Sequence, residues 1–116
     1  MDDASPSGPP SKSIAPPRAL IVDDDPGFAL GLAALVEREG FSVASANTLK
    51  QAREVIATNP PHILLVDLYL PDGSGLDLLD GFEPSAAPEV VLITAHASVE
   101  TAVQALRRGV ADYLTK

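Results

Sequence analysis

The stretch His62-Ile63-Leu64-Leu65-Val66-Asp67 decides the fold. Its four consecutive aliphatic residues predict a strand that is buried on both faces, which is typical of a central strand in a parallel sheet. The next eight residues, 68–75, contain one proline and two glycines and therefore predict a loop. Asp67 is thus expected at the carboxyl end of a central strand, where open α/β sheets bind their ligands.

The composition of the chain limits what this site can belong to. With 116 residues the chain has room for one domain, and the absence of cysteine excludes disulfides and thiolate metal sites. No apolar run approaches the roughly 18 residues that span a bilayer, so we expect a cytoplasmic protein without membrane contact. The formal net charge of −8 argues against direct nucleic-acid binding by these residues. Any DNA-binding function would belong to another domain.

Residues 1–17 differ in composition from the rest of the chain. They hold five of the eleven prolines, four serines and almost no large apolar residue. Such a segment buries too little apolar surface to offset the entropy of ordering it. We predict a disordered leader over 1–17 and one folded domain over 18–116.

Five aliphatic strands alternate with four helices in the predicted domain. The strands are expected at 19–22, 41–44, 62–67, 89–94 and 111–114. The helices are expected at 26–39, at 48–58 after a cap at Asn47 or Thr48, at 75–82, and at 99–108 after a cap at Ala97 or Ser98. The helical period places these apolar residues on the inner faces of the first and fourth helices: Phe28, Leu32, Leu35 and Val36, and Val99, Ala102, Val103 and Leu106. The alternation predicts an α/β fold, a doubly wound five-stranded parallel sheet in the order 2-1-3-4-5 with helices on both faces.

Polar residues follow four of the predicted strands. Asp23 and Asp24 follow the first strand, Asp67 the third, Thr94 the fourth and Lys116 the fifth, and this strand order brings them to one edge of the sheet. Crowded carboxylates repel unless they share a cation, and an all-oxygen ligand set suits Mg²⁺ together with a phosphate group. Asp67 is then placed to attack a phosphoryl group, with Lys116 and the metal holding its oxygens. The Thr94 hydroxyl is placed to donate a hydrogen bond to the product.

Each of these residues also has an ordinary structural explanation. An aspartate at a strand end is most often a turn or cap residue, Thr94 alone is a common strand-end hydroxyl, and Lys116 alone is a solvated charge. Asp25 is best explained as the cap of the first helix. His62 and His96 lack metal-ligand spacing, and we expect both to be exposed. The joint occurrence of the polar groups at one sheet edge is what favours a functional site.

The motifs around these residues resemble those of receiver domains in two-component response regulators, which have a CheY-like, flavodoxin-type fold. The resemblance covers 18–116. The matching motifs are Val22-Asp23-Asp24-Asp25, Val66-Asp67 with Leu70-Pro71-Asp72-Gly73-Ser74-Gly75-Leu76, Ile93-Thr94-Ala95, and Asp112-Tyr113-Leu114-Thr115-Lys116.

The resemblance implies a role for each residue of the cluster. Asp67 accepts a phosphoryl group from a partner histidine kinase, and Lys116 contacts that group. Asp24 binds Mg²⁺ directly, Asp23 binds it mainly through water, and Asp67 and the backbone carbonyl of Tyr69 complete the protein ligands. Such a domain is a phosphoacceptor switch rather than an enzyme in the usual sense.

The resemblance also implies how the signal leaves the site. Thr94 and Tyr113 form a switch pair, in which the hydroxyl swings toward the phosphoryl group and the ring turns inward. The segment 93–114 is similar to receivers of the nitrogen-regulator type, which control an ATPase acting with sigma-54 RNA polymerase and a DNA-binding helix-turn-helix. A redox-responsive type with only a helix-turn-helix output is also compatible. The expected readout face is formed by exposed residues of the fourth helix: Glu100, Thr101, Gln104, Arg107 and Arg108.

One departure from the family pattern and two alternative functions complete the expectations. The proline and fifth helix that follow the family lysine are not in this chain, so we expect a truncated domain with an uncovered apolar face beside strands 1 and 5, and with it homodimerisation, domain swapping or lower stability. One alternative is a phosphorylation-independent interaction module. Another is a phosphatase with an aspartyl-phosphate intermediate, but Tyr69 stands where such enzymes usually carry a second aspartate. Tyr69 and His96 flank the site and are candidates for tuning the lifetime of the phosphorylated state.

Overall fold

The central sheet has the predicted topology. The computed structural model describes residues 15–116; residues 1–14, most of the predicted leader, lie outside the described part, and the prediction made for them stays untested. The five strands are β1 (Arg18–Val22), β2 (Ser42–Ala46), β3 (Ile63–Asp67), β4 (Glu89–Thr94) and β5 (Asp112–Thr115). They lie side by side in the order β2-β1-β3-β4-β5, and every pairing is parallel. The doubly wound arrangement is therefore confirmed.

Three α-helices connect the strands, and the segment after β3 has a different form from the one expected. The α-helices are α1 (Pro26–Arg38), α2 (Leu49–Thr58) and α3 (Val99–Arg107), and α3 is the predicted fourth helix. The predicted third helix is a 3₁₀ helix over Gly75–Gly81, because seven residues that begin and end with glycine are too few to nucleate a stable α-helix. The predicted loop before it contains a small antiparallel hairpin of Tyr69–Leu70 with Gly73–Ser74. Among the described residues, no helix is both long enough and apolar enough to cross a bilayer.

The sheet is covered unequally on its two faces. On one face α2, α3 and the 3₁₀ helix enclose side chains such as Leu64 and Leu92, which are fully buried. On the other face α1 covers β1, but Ile63 and Val91 are only partly buried and Leu114 is 47% exposed. The exposed apolar surface therefore lies on β3, β4 and β5, beside β1, whereas β1 itself is covered, because Ile21 is fully buried under α1.

Some helix residues predicted to face inward point outward. Leu35 of α1 is 57% exposed, and Val99 and Leu106 of α3 are 81% and 73% exposed. In α3 the buried residue is Ala105. The helix thus contacts the sheet along a narrow stripe of small residues. The apolar residues cover a wider face of the helix than this stripe, so their spacing does not show which of them are buried.

The N-terminus of α2 is capped from two directions. The Thr48 hydroxyl accepts from the Gln51 N–H at 3.1 Å. The carboxylate of Asp72, in the hairpin after β3, accepts from the Leu49 N–H at 2.8 Å and the Lys50 N–H at 3.1 Å. The bond from Leu49, aided by that from Lys50, holds the pKa of the Asp72 carboxyl below its ordinary value. Asp72 therefore ties the loop after Asp67 to α2.

Gly75 stands where only glycine fits. A Cβ atom at this position would overlap the carbonyl oxygen of Asp67 and lie 2.7 Å from a methyl carbon of Val66. The Gly75 N–H donates to the Leu68 carbonyl at 2.8 Å. The 3₁₀ helix can therefore start directly against the end of β3 only because this residue has no side chain.

We predict that Gly75→Ala lowers the free energy of unfolding by about 1–3 kcal/mol, the usual cost of overpacking a core. Gly31→Ala is the matched control, since a Cβ atom on Gly31 in α1 meets nothing within 4 Å. That control should be neutral or stabilising by up to about 1 kcal/mol, because alanine replaces glycine inside a helix. Urea unfolding of both variants measures the difference. Equal unfolding midpoints would contradict the close approach at Gly75.

Candidate functional site

Three aspartates meet at the carboxyl edge of the sheet. Asp23 and Asp24 directly follow β1, and Asp67 is the last residue of β3, the strand next to β1. One carboxylate oxygen from each residue lies within 4.8 Å of the other two. Asp23 and Asp67 are 1% and 6% exposed, whereas Asp24 is exposed. The site thus has two buried carboxylates and one at its mouth.

Backbone N–H groups orient the two buried carboxylates. Asp23 Oδ1 accepts from the Asp25 N–H at 2.9 Å, and Asp67 Oδ1 accepts from the Tyr69 N–H at 3.1 Å. In both residues the bond from the N–H two residues later fixes the Oδ1 oxygen and leaves the Oδ2 oxygen facing the cluster. The bond from the Tyr69 N–H also holds the backbone of Tyr69 close to the carboxylate of Asp67, the phosphoacceptor candidate.

Lys116 bridges the two buried carboxylates. Its Nζ lies 2.7 Å from Asp23 Oδ2 and 2.8 Å from Asp67 Oδ2, and its side chain is only 16% exposed. Burial alone would lower the pKa of the Lys116 ammonium, but its close polar contacts and charge interactions with Asp23 and Asp67 outweigh this and raise the pKa. The ammonium also lies 4.8 Å from the centre of the Phe28 ring, within cation–π range.

The charges and orphaned atoms of the cluster fit a divalent cation. Within residues 15–116, three carboxylates face one ammonium, so the cluster has two more negative than positive charges. Asp23 Oδ2 is buried and accepts no well-directed hydrogen bond, although the Lys116 ammonium is close to it. An all-oxygen set of carboxylates is the ligand type that Mg²⁺ prefers. The residues present therefore fit Mg²⁺, with Asp23, Asp24 and Asp67 as its side-chain ligands.

Thr94 and two aromatic rings lie beside the cluster. Thr94 ends β4 and is fully buried, and its Oγ1 accepts from the His96 N–H at 3.1 Å. The rings of Tyr69 and His96 meet edge to face, with their centres 5.5 Å apart. His96 is exposed, as expected, and Tyr69 is 52% exposed. The two rings thus contact each other, one from the segment that follows Asp67 and one from the segment that follows Thr94.

Tyr113 lies farther from the carboxylates, on β5, which β4 separates from the strand of Asp67. It sits on β5 in register with Leu92 of β4, and its ring packs against the core under α3. Its hydroxyl lies 2.7 Å from Thr101 Oγ1, so Thr101 is partly buried. The prediction that Thr101 belongs to an exposed face is therefore wrong. The other four residues of that face are exposed as predicted: Glu100, Gln104, Arg107 and Arg108.

Two residues near the site were not predicted to take part in it. Phe28 was assigned only to the core, and its position one turn after Asp24 on α1 was the available signal that its ring reaches Lys116. Asp72 was named only as part of the loop motif that follows Asp67. Its bonds to α2 join positions more than twenty residues apart, and the sequence carries no local signal for such a contact.

Comparison with known proteins agrees with this geometry. Residues 19–116 match the family of response regulator receiver domains. The response regulator protein PilR of Pseudomonas aeruginosa is 43% identical over 100 residues, which are 85% of this chain and 22% of PilR. The photosynthetic apparatus regulatory protein RegA of Rhodovulum sulfidophilum is 38% identical over 101 residues, which are 86% of this chain and 55% of RegA.

A solved structure agrees as well. It is a response regulator protein from Burkholderia pseudomallei with a phosphorylated aspartic acid, calcium ion and citrate. Its fold superimposes with a TM-score of 0.77 at 33% identity, covering 86% of this chain and 59% of that one. A parallel sheet that ends in clustered aspartates, a threonine and a lysine defines the class of this domain, a doubly wound α/β domain with an acidic site at the carboxyl edge of its sheet. The chain belongs to the receiver domain family of two-component response regulators.

We predict a pH-dependent contribution of Lys116 to stability. Because the pKa of Lys116 is raised in the folded state, its stabilisation is complete below the unfolded-state pKa, about 10.4, and is lost as the pH rises through the higher folded-state pKa. The difference in the free energy of unfolding between the wild type and Lys116→Met should stay constant from about pH 7 to 10 and shrink above that. Urea unfolding across this range measures it, with Lys50→Met on the surface of α2 as the control. A difference that does not change with pH would contradict the ion pair.

Proposed function

We propose that the chain is a phosphoacceptor switch in which Asp67 receives a phosphoryl group from a histidine kinase. The observation that carries the proposal is the position of the Asp67 carboxylate. It is buried at the end of β3, 2.8 Å from the Lys116 ammonium and within 4.8 Å of two further aspartates. A buried nucleophilic carboxylate beside both an ammonium and a cation site is typical of sites that transfer phosphoryl groups.

The residues supply a complete set of roles for the transfer. A carboxylate oxygen of Asp67 attacks the phosphorus, the P–N bond to the kinase histidine breaks, and the imidazole leaves with the bonding electron pair. Lys116 holds the oxygens of the moving group and stabilises their charge. Asp23, Asp24, Asp67 and the Tyr69 carbonyl hold Mg²⁺, which when bound neutralises charge on the phosphoryl group. The chain acts as a switch that assists its own phosphorylation rather than as an enzyme with a separate substrate.

The switch starts at Thr94. Its hydroxyl accepts from the His96 N–H, so the hydrogen of the hydroxyl is free to be donated to a phosphoryl oxygen. Phosphorylation adds about −1.5 to −2 charge at Asp67, which favours rotation of the Thr94 hydroxyl toward the phosphoryl group. Tyr113 then turns toward the space that Thr94 leaves, and the face of α3 and β5 changes. We propose this face as the readout.

The remaining partners lie outside this chain. The chain spans about a fifth of PilR and about half of RegA. We propose that a further domain of the same protein provides a transcriptional output. The similarity to PilR favours the nitrogen-regulator type, and the similarity to RegA supports the shorter, redox-responsive type as the alternative. A sensor histidine kinase as partner, homodimerisation and a cytoplasmic location stay predictions.

The first test is intact-mass spectrometry after incubation with a small phosphoramidate donor. We expect the wild type to gain one phosphoryl group in the presence of Mg²⁺ and none after chelation. Asp67→Asn should gain none, because the amide oxygen is a far weaker nucleophile. Asp77→Asn is the matched control, an exposed aspartate of the 3₁₀ helix outside the cluster, and should behave as the wild type.

Two results would count against the proposal. A folded wild type that gains no phosphoryl group would favour the phosphorylation-independent interaction module. A gain that persists in Asp67→Asn would show that the modified residue is a different one. Either result is distinct from unfolding of the protein, which circular dichroism of the same samples detects.

A second prediction concerns metal binding. Asp24→Asn removes one of three carboxylates and should weaken Mg²⁺ binding by at least about tenfold, as losses around metal ligands typically do. Asp25→Asn is the control, because it belongs to the same run of acids but caps α1, a role that asparagine performs equally well. Isothermal titration with MgCl₂ compares the two variants. Equal affinities would exclude Asp24 as a ligand.

A further inference from the structure

Thr101 takes part in two hydrogen-bonded groups at once. Its Oγ1 lies 2.7 Å from the hydroxyl of Tyr113. The same oxygen accepts from the Ser98 N–H at 3.1 Å and donates to the Ser98 carbonyl at 3.0 Å, while Ser98 Oγ accepts from the Thr101 N–H. This reciprocal pair is the capping box of α3. Thr101 therefore joins the proposed switch residue to the first turn of the helix.

The hydrogen-bonding capacity of the Thr101 hydroxyl is fully used. A hydroxyl offers one hydrogen and two lone pairs. The hydrogen points to Ser98, and one lone pair accepts from the Ser98 N–H. The Tyr113 hydroxyl, at 2.7 Å, is the nearest partner of this oxygen, and Ser98 Oγ lies 3.1 Å away. Movement of the ring away from this position removes the nearest partner of the Thr101 hydroxyl.

The helix that this bond anchors buries few of its large side chains, although Arg108 at its C-terminal end is bonded to Leu76 and Asp80. Ala105 is the buried residue of α3, and the large side chains of Val99 and Leu106 are mostly exposed. Elements with few buried apolar contacts open or shift at low free-energy cost. One hydrogen bond at the N-terminus is therefore a large share of what fixes the start of α3.

The capping box also lies close to the other half of the switch. Thr94 Oγ1 is bonded to the N–H of His96, two residues before Ser98. Two short hydrogen-bonded segments thus connect Thr94 with the cap and the cap with Tyr113. A rotation of the Thr94 hydroxyl releases the His96 N–H and disturbs the loop that leads into the cap.

We propose that Thr101 is a positioning residue for the switch, whose hydroxyl holds Tyr113 against α3 and thereby opposes the rearrangement that follows phosphorylation. The inference rests on the proposed function of Asp67, Thr94 and Tyr113. Tyr113 turns inward only by giving up Thr101, so the ring movement and the change at the start of α3 occur in one step. Removal of the Thr101 hydroxyl makes that step easier.

The test uses the whole chain and beryllofluoride with MgCl₂ as a phosphoryl mimic. Calorimetric titration gives the binding midpoint, and ¹⁹F NMR of fluorotyrosine-labelled protein reports the two tyrosines of the chain separately, with Tyr113→Phe assigning the signals. Thr101→Val should bind beryllofluoride about two- to tenfold more tightly, the range of one net hydrogen bond. Its unliganded Tyr113 signal should shift toward the position seen at saturation. Thr101→Ser, which keeps the hydroxyl, should match the wild type.

Two further variants separate the switch from helix capping. Ser98→Ala weakens the cap but leaves the Thr101 hydroxyl for Tyr113, so its midpoint should change less than that of Thr101→Val. Tyr113→Phe removes the same bond from the ring side and should tighten binding even if Thr101→Val does not fold. Adding Thr101→Val to Tyr113→Phe should then produce no further change.

The outcomes distinguish this inference from the proposed function. Equal midpoints for the wild type and Thr101→Val, equal shifts for Thr101→Val and Ser98→Ala, or an effect that persists in Tyr113→Phe would each overturn the role of Thr101 alone. Wild-type protein that binds no beryllofluoride, or binds it equally well as Asp67→Asn, would overturn the proposed function and the inference together.

Discussion

The crowding of carboxylates at one edge of the sheet is the constraint on which the rest of the structure depends. Val22 and Val66 are paired in register on β1 and β3, so the residues that follow them, Asp23 and Asp67, are forced side by side. Two buried charges of the same sign are costly unless they are paired and hydrogen-bonded. Two backbone N–H groups and the ammonium of Lys116 offset this cost in part. The negative charge that they leave uncompensated attracts a cation.

The loop after β3 is shaped so that this edge stays open and rigid. Gly75 approaches the Asp67 carbonyl closely enough to exclude any side chain, and its N–H returns to the Leu68 carbonyl. At the tip of the loop, Asp72 is fastened to the N-terminus of α2, where the charge of the carboxylate complements the helix dipole. The backbone of Tyr69 lies between these two attachments. A backbone carbonyl offered to a metal is useful only if it is held in this way, because a flexible ligand adds an ordering cost to every binding event.

The parts of the molecule that the sequence predicts are those set by neighbouring residues. Runs of aliphatic residues that end on Asp67, Thr94 or Asp23 identify both the strands and the sheet edge, because the parallel topology allows few other arrangements. Contacts between distant segments leave no such trace, as the Asp72 cap on α2 and the bond between Thr101 and Tyr113 show. Side-chain burial on a helix is equally non-local. Val99 and Leu106 follow the helical period, yet whether they are covered depends on what packs against α3.

In the proposed switch, the contrast between the sheet and α3 gives a charge added at Asp67 a way to act at a distance. Leu64, Val66 and Leu92 behind the site are fully buried, and such a close-packed core does not deform continuously. The strands therefore do not shift in response to the new charge. The parts of the molecule that respond are those that are bonded to the site and able to move. Thr94 provides the bond, and α3, with Ala105 as its buried residue, provides the freedom. A helix packed as firmly as the strands would be more stable, but it would leave phosphorylation without a second state to favour.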